Sequence, residues 1–174
     1  MGWKLLKERF AINHIVQIRE GRVLVGSYYV GNLAEINPDT GTLCRNTTFP
    51  RFLEENYPAL ACADPAELIA ILAAPDCFSA SLPVWTYDGA KIIEQQCEER
   101  GYPNVTHDGT LQYDNTHFDT PEKALAKAKR VAEADIEWAT RAVAEADERL
   151  TGLRNDLARS QDVLNAIVSK ESAP

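Results

Sequence analysis

The sequence has no apolar run that approaches the ~20 residues needed for a membrane-spanning helix. Its first residues, MGWKLLKERF, also lack the apolar core of a secretory signal peptide. The first absence argues against insertion into a membrane, and the second argues against export. We therefore expect a cytoplasmic protein.

Short motifs that carry known chemistry are missing as well. The sequence contains no G-x-S-x-G nucleophile motif, no G-K-[ST] phosphate loop and no H-E-x-x-H zinc motif. It has 4 cysteines but no C-x-x-C pair, so neither a zinc ribbon nor a redox dithiol is indicated, and buried thiols are expected. We predict no cofactor, and these absences favour a non-enzymatic protein.

Basic residues are scarce in the middle of the chain. Residues 52–120 contain 12 Asp and Glu but only 2 Lys and Arg, whereas residues 1–51 contain 4 acidic and 7 basic residues. A negative surface repels the phosphates of nucleic acids and attracts basic protein surfaces. The charge pattern therefore predicts a protein partner with a basic surface and argues against direct nucleic-acid binding.

The first third of the chain contains a clear pattern of short strands. Apolar, β-branched residues flank Glu20-Gly21, which is a two-residue hairpin signal, and the sequence PDTG at residues 38–41 supplies a second turn. Residues 14–45 are therefore predicted to form a four-stranded antiparallel β-meander.

The middle third reads as alternating helices and strands. Asp64 caps a helix that ends before Pro75. Next, PVWTYDG (residues 83–89) predicts a strand, GAKIIEQQCEERG (residues 89–101) a helix, and NVTHDGTLQY (residues 104–113) a second strand. This order predicts a β-α-β-like segment and, with the meander, an α+β fold.

A long helix is predicted after Thr120. Apolar residues recur there every seven positions at Ile136, Val143, Leu150, Leu157 and Leu164, and a second series follows at Ala139, Ala146, Leu153, Ser160 and Ile167. Such a heptad pattern is typical of coiled coils. The predicted oligomerisation seam consists of Ile136, Val143, Leu150, Leu153, Leu157, Leu164 and Ile167.

This helix could cover its seam in two ways. A second copy could pack on it in a coiled coil, or the chain could fold back as a helical hairpin at Thr151-Gly152, since glycine weakens a helix. The heptad phase runs through the glycine without a slip, which favours a continuous helix and a homo-oligomer.

The predicted organisation is an α+β domain at residues 1–119, a helical segment at 120–170 and a tail at 171–174.

Two of the three histidines, His107 and His117, lie among acidic and amide residues in PNVTHDGTLQYDNTHFDT. Histidine with carboxylates suits a metal or an acid/base site. The spacing instead favours structure, because Asp108-Gly109 is a preferred hairpin turn and Asp119-Thr120 suits the start of a helix. We predict neither catalytic nor metal-binding residues here.

A binding role is predicted for exposed carboxylates of the acidic block. Glu94 and Glu98 are four residues apart on the helix predicted after Gly89, on the side away from Ile93 and Cys97. The predicted acidic surface for a protein partner consists of Glu94, Glu98, Glu99, Asp108 and Asp114.

Two stretches, WKLLKERFAINHIVQI (residues 3–18) and PVWTYDGAKIIEQQCEERGYPNVTHDG (residues 83–109), resemble segments of uncharacterised small proteins of tailed bacteriophages and prophages. The resemblance covers most of the globular part and carries over no catalytic residue. It implies an accessory protein that binds a host protein in the host cytoplasm and redirects or blocks it.

Charge, heptads and resemblance together predict a non-enzymatic protein-binding module, a phage-encoded modulator or inhibitor of a bacterial host protein that acts through the acidic surface. Two alternatives stay open. One is a structural or assembly protein whose coiled coil is the functional part. The other is a metal-dependent enzyme that uses His107 and His117.

Overall fold

The computed structural model of the protein describes residues 1–171 and has an α+β architecture, with an antiparallel β-sheet region followed by a long C-terminal helix. In chain order its elements are α1 (Trp3–Arg9), β1 (Ile15–Arg19), β2 (Arg22–Gly26), β3 (Ala34–Ile36), β4 (Leu43–Arg45), α2 (Phe52–Asn56), α3 (Pro58–Ala61), α4 (Pro65–Ala73), β5 (Leu82–Asp88), β6 (Lys91–Cys97) and α5 (Pro121–Glu171). The predicted fold class is confirmed.

Strands β1 to β4 form a four-stranded antiparallel sheet in the order β1-β2-β3-β4. This confirms the meander predicted for residues 14–45. Glu20 and Gly21, at φ +52° and +72°, make the turn between β1 and β2. Positive φ at both turn residues matches the twist of the flanking strands, so this short loop fixes the register of the hairpin.

One face of this sheet forms the main core. Val16 pairs with Val25 and Val23 pairs with Ile36, so the side chains of three neighbouring strands point to the same side. Helical residues pack against them, because both surfaces are apolar and gain by leaving water. The buried cluster consists of Trp3, Leu6, Phe10, Ile12, Val16, Val23, Val25, Ala34, Ile36, Leu53, Tyr57, Leu60, Leu68 and Leu72.

Helix α4 follows the predicted capping pattern. The Asp64 side chain accepts a hydrogen bond from the backbone N–H of Ala66 at 2.7 Å, which satisfies one of the unpaired N–H groups at the helix start. Pro65 occupies the first helical position, where its missing N–H costs nothing. The helix ends at Ala73, before Pro75, as predicted.

The helix predicted for residues 89–101 is wrong. The segment forms strand β6, which pairs with β5 as an antiparallel hairpin across a turn at Gly89, whose φ is +54°. Ile93 and Cys97, four residues apart, share a face in a strand as well as in a helix, so their spacing did not separate the two possibilities. The β-branched Ile92 and Ile93 favour the strand.

The segment after β6 contains less strand than predicted. Residues 104–113 make only isolated bridges, Cys97 with Thr106 and Val105 with Leu111. The turn predicted at Asp108-Gly109 is present, and the Gly109 carbonyl accepts a hydrogen bond from the Ile18 N–H at 2.7 Å. The turn therefore extends the edge of the main sheet beside β1.

Helix α5 is continuous from Pro121 to Glu171 and does not fold back at Thr151-Gly152. The chain separates into two compact units, Met1–Ala128 and Lys129–Pro174. The start of α5 belongs to the first unit, in which Ala124 and Ala128 are buried. Of the tail predicted at residues 171–174, residue 171 is the last of α5 and the others lie outside the described residues.

The cysteines differ from the expectation. Cys97 is buried, but Cys44, Cys62 and Cys77 are exposed. Cys44 lies opposite Glu35 on the face of the sheet away from the core. The prediction of buried thiols is therefore wrong for Cys44, Cys62 and Cys77. For Cys44 the reason is that residue type alone does not determine which face of a short edge strand a side chain occupies.

No helix within residues 1–171 combines the length and the hydropathy needed to cross a membrane.

Two glycines with similar backbone angles provide a matched test of the packing between the β3–β4 turn and α4. Gly41 has φ +65°, and a Cβ there would lie 2.2 Å from the backbone oxygen of Pro65, whereas Gly21 has φ +72° and open space around it. We expect Gly21→Ala to cost about 1 kcal/mol of unfolding free energy, the ordinary cost of a left-handed alanine. Gly41→Ala is expected to cost about 3 kcal/mol, because a backbone clash is added. Urea unfolding measures both, and equal losses would contradict this packing.

Candidate functional site

The seam residues lie on α5 with their side chains in solvent. Their exposed fractions run from 44% for Leu150 to 67% for Ile136. Of the 17 large apolar side chains that are exposed among residues 1–171, 11 lie on α5. A contiguous exposed apolar stripe of this kind is typical of surfaces at which proteins associate, because water is a poor solvent for it.

The local sequence explains why the helix is so long. Residues 122–171 contain no proline and a single glycine, and they are rich in alanine, leucine, arginine and glutamate, which are good helix formers. Its start is capped as predicted, since the Thr120 hydroxyl accepts from the Lys123 N–H at 3.4 Å and Asp119 pairs with the Lys123 ammonium at 2.8 Å. Helix propensity and a capped start therefore both favour one long, continuous helix.

Glu98, predicted for the acidic surface, is held inside the first unit. It lies just after β6, not on a helix, and its Oε1 accepts from Lys4 Nζ at 2.8 Å and from the Ser79 N–H and hydroxyl, each at 2.6 Å. Burial raises the pKa of Glu98, but the bonds from Lys4 and Ser79 outweigh it and lower the pKa to about 2. Glu98 therefore ties α1 to the loop before β5.

Asp108 and Asp114 also have structural partners, although both are exposed. Asp108 accepts hydrogen bonds from the Thr106 hydroxyl, from the Thr110 N–H and from Gln95 Nε2. Burial alone raises the pKa of Asp108, but these donors lower it on balance. Asp114 Oδ1 accepts from the Tyr102 N–H at 3.4 Å.

The remaining two carboxylates, Glu94 and Glu99, are exposed. Successive side chains of a strand point to opposite faces, so Glu94 and Gln95 lie on opposite sides of β6. Asp108 bonds to Gln95 and is thus on the other side of β6 from Glu94. The structure does not bring the five predicted acidic residues onto one strand face, and binding by them stays a prediction.

His107 is built into the packing of the first unit. Its ring stacks on Phe78 with centroids 3.7 Å apart and planes at 6°, and its Nε2 lies 3.1 Å from the Ala80 carbonyl. Its own carbonyl accepts a hydrogen bond from the Trp3 indole at 3.2 Å. His107 thus contacts α1 through its backbone carbonyl and the loop before β5 through its ring.

His117 lies apart from these contacts. Its Nδ1 is 2.9 Å from the Thr116 hydroxyl and accepts from the Tyr113 N–H, and its buried Nε2 has no hydrogen-bond partner within residues 1–171. Burial lowers the pKa of His117, and the charge of Asp108 opposes this shift. Across the described part of the chain, no three His, Cys, Asp or Glu residues form a group that could hold a metal ion.

Sequence reasoning missed an exposed group of tyrosines. Tyr28 contacts Tyr29 and Tyr102, each with ring centroids 5.1 Å apart, and Tyr102 stacks on Tyr113 at 5.5 Å. Tyr113 also borders a groove of about 940 Å³ on the outer face of the main sheet. The adjacent Tyr28 and Tyr29 could have pointed to this group in the sequence. Their contact with Tyr102 could not be predicted, because Tyr102 is distant in the sequence and the chain must fold to bring them together.

At a significant level, the chain matches no family model, no curated protein and no solved structure. Its function must therefore be inferred from its own residues.

The Lys4–Glu98 pair predicts a pH-dependent stability. Glu98→Gln is expected to lower the unfolding free energy at pH 7 by about 2 kcal/mol, less than the pKa shift alone implies because the pair keeps part of its surface in water. The folded-state pKa of about 2 lies below the ordinary value of 4.5. The advantage of the wild type is therefore complete above pH 4.5 and disappears as the pH falls through the folded-state value.

Unfolding of both proteins between pH 7 and pH 2.5 measures this effect. Glu99→Gln serves as the control, because Glu99 is the next residue and is exposed. Equal losses for Glu98→Gln and Glu99→Gln, or a loss that is the same at every pH, would show that Glu98 does not stabilise α1 in this way.

Proposed function

We propose that this chain is a non-enzymatic, cytoplasmic protein-binding module that assembles through the seam of α5. The observation that carries the proposal is the exposure of all seven seam residues on one uninterrupted helix. In proteins, most of the stability of a helix comes from packing of its apolar face, so a second helix that covers this stripe would stabilise α5.

The extent of the seam supports an assembly role. The two apolar series run from Ile136 to Ile167, a distance of about 47 Å along the helix. Heptads sustained over at least three to four repeats are typical of a coiled coil and not of a chance stripe. The small residues Ala139 and Ala146 permit close approach of a second helix, and the leucines farther along fill the space.

The first unit supports binding and not catalysis. Its histidines are used in packing and hydrogen bonds, and Glu98 is used as an internal tie. The exposed carboxylates give residues 52–120 a negative field, which suits a basic partner. As the resemblance to phage accessory proteins implies, we propose that this partner is a bacterial host protein that the module modulates or inhibits.

If the seam holds two copies together, the wild-type protein is a dimer, and two substitutions within the seam are expected to convert it to a monomer. The molar mass of the wild-type protein measured by light scattering is expected to be twice the chain mass of 19.3 kDa. Leu157→Asp/Leu164→Asp is expected to run at 19.3 kDa, because unpaired carboxylates in the covered seam cost several kcal/mol.

Ala158→Asp/Asn165→Asp is the matched control, since it places the same residue one position farther along, beside the seam and outside it. This control is expected to keep the wild-type mass. A wild-type protein that is monomeric at every concentration would overturn self-assembly through the seam, and so would an unchanged mass for Leu157→Asp/Leu164→Asp.

A further inference from the structure

We propose that the seam of α5 binds a second copy of the chain in the antiparallel direction, with the twofold axis between Thr151 and Gly152. This inference rests on the proposed function and specifies its partner. The evidence is the order of the charged residues that flank the seam.

Two rows of residues border the apolar series. One row directly precedes Ile136 and its equivalents and consists of Asp135, Ala142, Arg149, Asp156, Val163 and Lys170. The other directly follows Ala139 and its equivalents and consists of Thr140, Asp147, Arg154, Gln161 and Val168. In a coiled coil these two rows decide which partner and which direction are accepted.

Antiparallel pairing sets each row against the same row of the partner. With the axis at Thr151-Gly152, Arg149 meets the partner's Asp156 and Asp147 meets the partner's Arg154. Near the ends, Asp135 meets the partner's Lys170. Every contact between two charged residues of these rows is then attractive, and the symmetry forms each contact twice.

The apolar layers agree with the same register. Leu157 faces the partner's Ala146, and Leu164 faces the partner's Ala139, so these two leucines lie opposite small residues, while Ile136 faces the partner's Ile167. At the centre, Leu150 faces the partner's Leu153. Placing Leu157 and Leu164 opposite alanines allows close packing in these two layers.

Moving the axis by one heptad step in either direction loses this match. In one shifted register Asp156 faces its own copy and Arg154 does the same. In the other, Arg149 and Asp147 face their own copies. Like charges brought together in this way oppose association.

A parallel, in-register pair is also disfavoured. Arg149 would then face the partner's Arg154, and no pair of opposite charges would form between the rows to offset this repulsion. Ala146 would face itself, and so would Ser160, which leaves gaps between the larger layers on either side of each. Charge order and packing therefore select the same antiparallel arrangement.

The monomer leaves these groups accessible. Among the charged residues of the two rows within residues 1–171, Asp156 has an ion pair on its own helix, with Arg159 at 2.9 Å. That pair is exposed on both sides, at 78% for Arg159 and 66% for Asp156, and exposed pairs of this kind contribute little. Asp156 can thus exchange Arg159 for the partner's Arg149 at small cost.

Charge reversal at Arg149 distinguishes antiparallel from parallel pairing, because it is expected to change the dimer dissociation constant in opposite directions in the two arrangements. In the antiparallel pair, Arg149→Glu sets Glu against Asp156 twice, so the dimer dissociation constant is expected to rise roughly tenfold. In a parallel pair the same change sets Glu against Arg154, and the dissociation constant would fall. Sedimentation equilibrium of the full chain measures this constant.

Arg141→Glu is the matched control, because Arg141 lies on the face of α5 opposite the seam. It is expected to leave the dissociation constant unchanged. Arg149→Glu/Asp156→Arg is expected to restore wild-type association, since it re-forms the pair with its charges exchanged. Unchanged or tighter association of Arg149→Glu would overturn the antiparallel arrangement, and so would a trimer or a tetramer.

Cysteine cross-linking gives a second, geometric readout. In a chain with Cys44→Ser, Cys62→Ser and Cys77→Ser, the pair Ala146→Cys/Leu157→Cys is expected to form disulfides between copies, whereas Leu157→Cys alone is not. In the antiparallel dimer the two copies of residue 157 lie about 16 Å apart along the axis. Efficient cross-linking of the single variant would indicate a parallel pair.

The outcomes separate the two proposals. A wild-type monomer at every concentration overturns self-assembly and the antiparallel arrangement together. A dimer that needs the seam but is tightened by Arg149→Glu keeps the assembly function and rejects the direction proposed here.

Discussion

A helix of 51 residues cannot cover its own apolar stripe, and this constraint applies to the last third of the chain. The 11 large apolar side chains exposed on α5 would be an aggregation risk on an unpartnered protein. Seven of them recur with the heptad periodicity of a two-helix interface. The same stripe that makes the isolated helix unfavourable is the surface on which we propose that a second helix packs.

The first unit meets the same requirement by internal packing. Its four-stranded sheet buries one face against short helices. Individual hydrogen-bonded side chains connect the remaining segments to this core. Glu98 is the clearest of these ties, because one carboxylate joins α1, through Lys4, to the loop at Ser79. Because Glu98 is occupied by these donors, our proposal places association at the seam and not at Glu98.

Features set by neighbouring residues could be predicted from the sequence. Turn chemistry at Glu20-Gly21 located the meander, Asp64 and Pro75 located α4, and the heptads located α5. The strand β6 was missed because Ile93 and Cys97 share a face in either secondary structure. The β-branched Ile92 and Ile93 favour the strand locally, and pairing with β5 fixes that choice in the folded chain.

Contacts between distant residues could not be predicted in the same way. Nothing local to Glu98 points to Lys4, 94 residues earlier, and nothing local to His107 points to Phe78. The tyrosine group at Tyr28, Tyr102 and Tyr113 has the same origin. Such sites form only when segments that are distant in the sequence come together in the fold. The seam lies on one helix, so its residues can be recognised from their spacing in the sequence alone.

The most direct test of whether another helix covers the seam is amide hydrogen exchange along α5. Residues 136–167 of the wild-type chain are expected to exchange slowly, and the same amides of Leu157→Asp/Leu164→Asp are expected to exchange rapidly, because a helix without a partner opens repeatedly in water. Equal, rapid exchange in both proteins would contradict assembly through the seam. Equal, slow exchange would show that α5 is stable without a partner, which contradicts it as well.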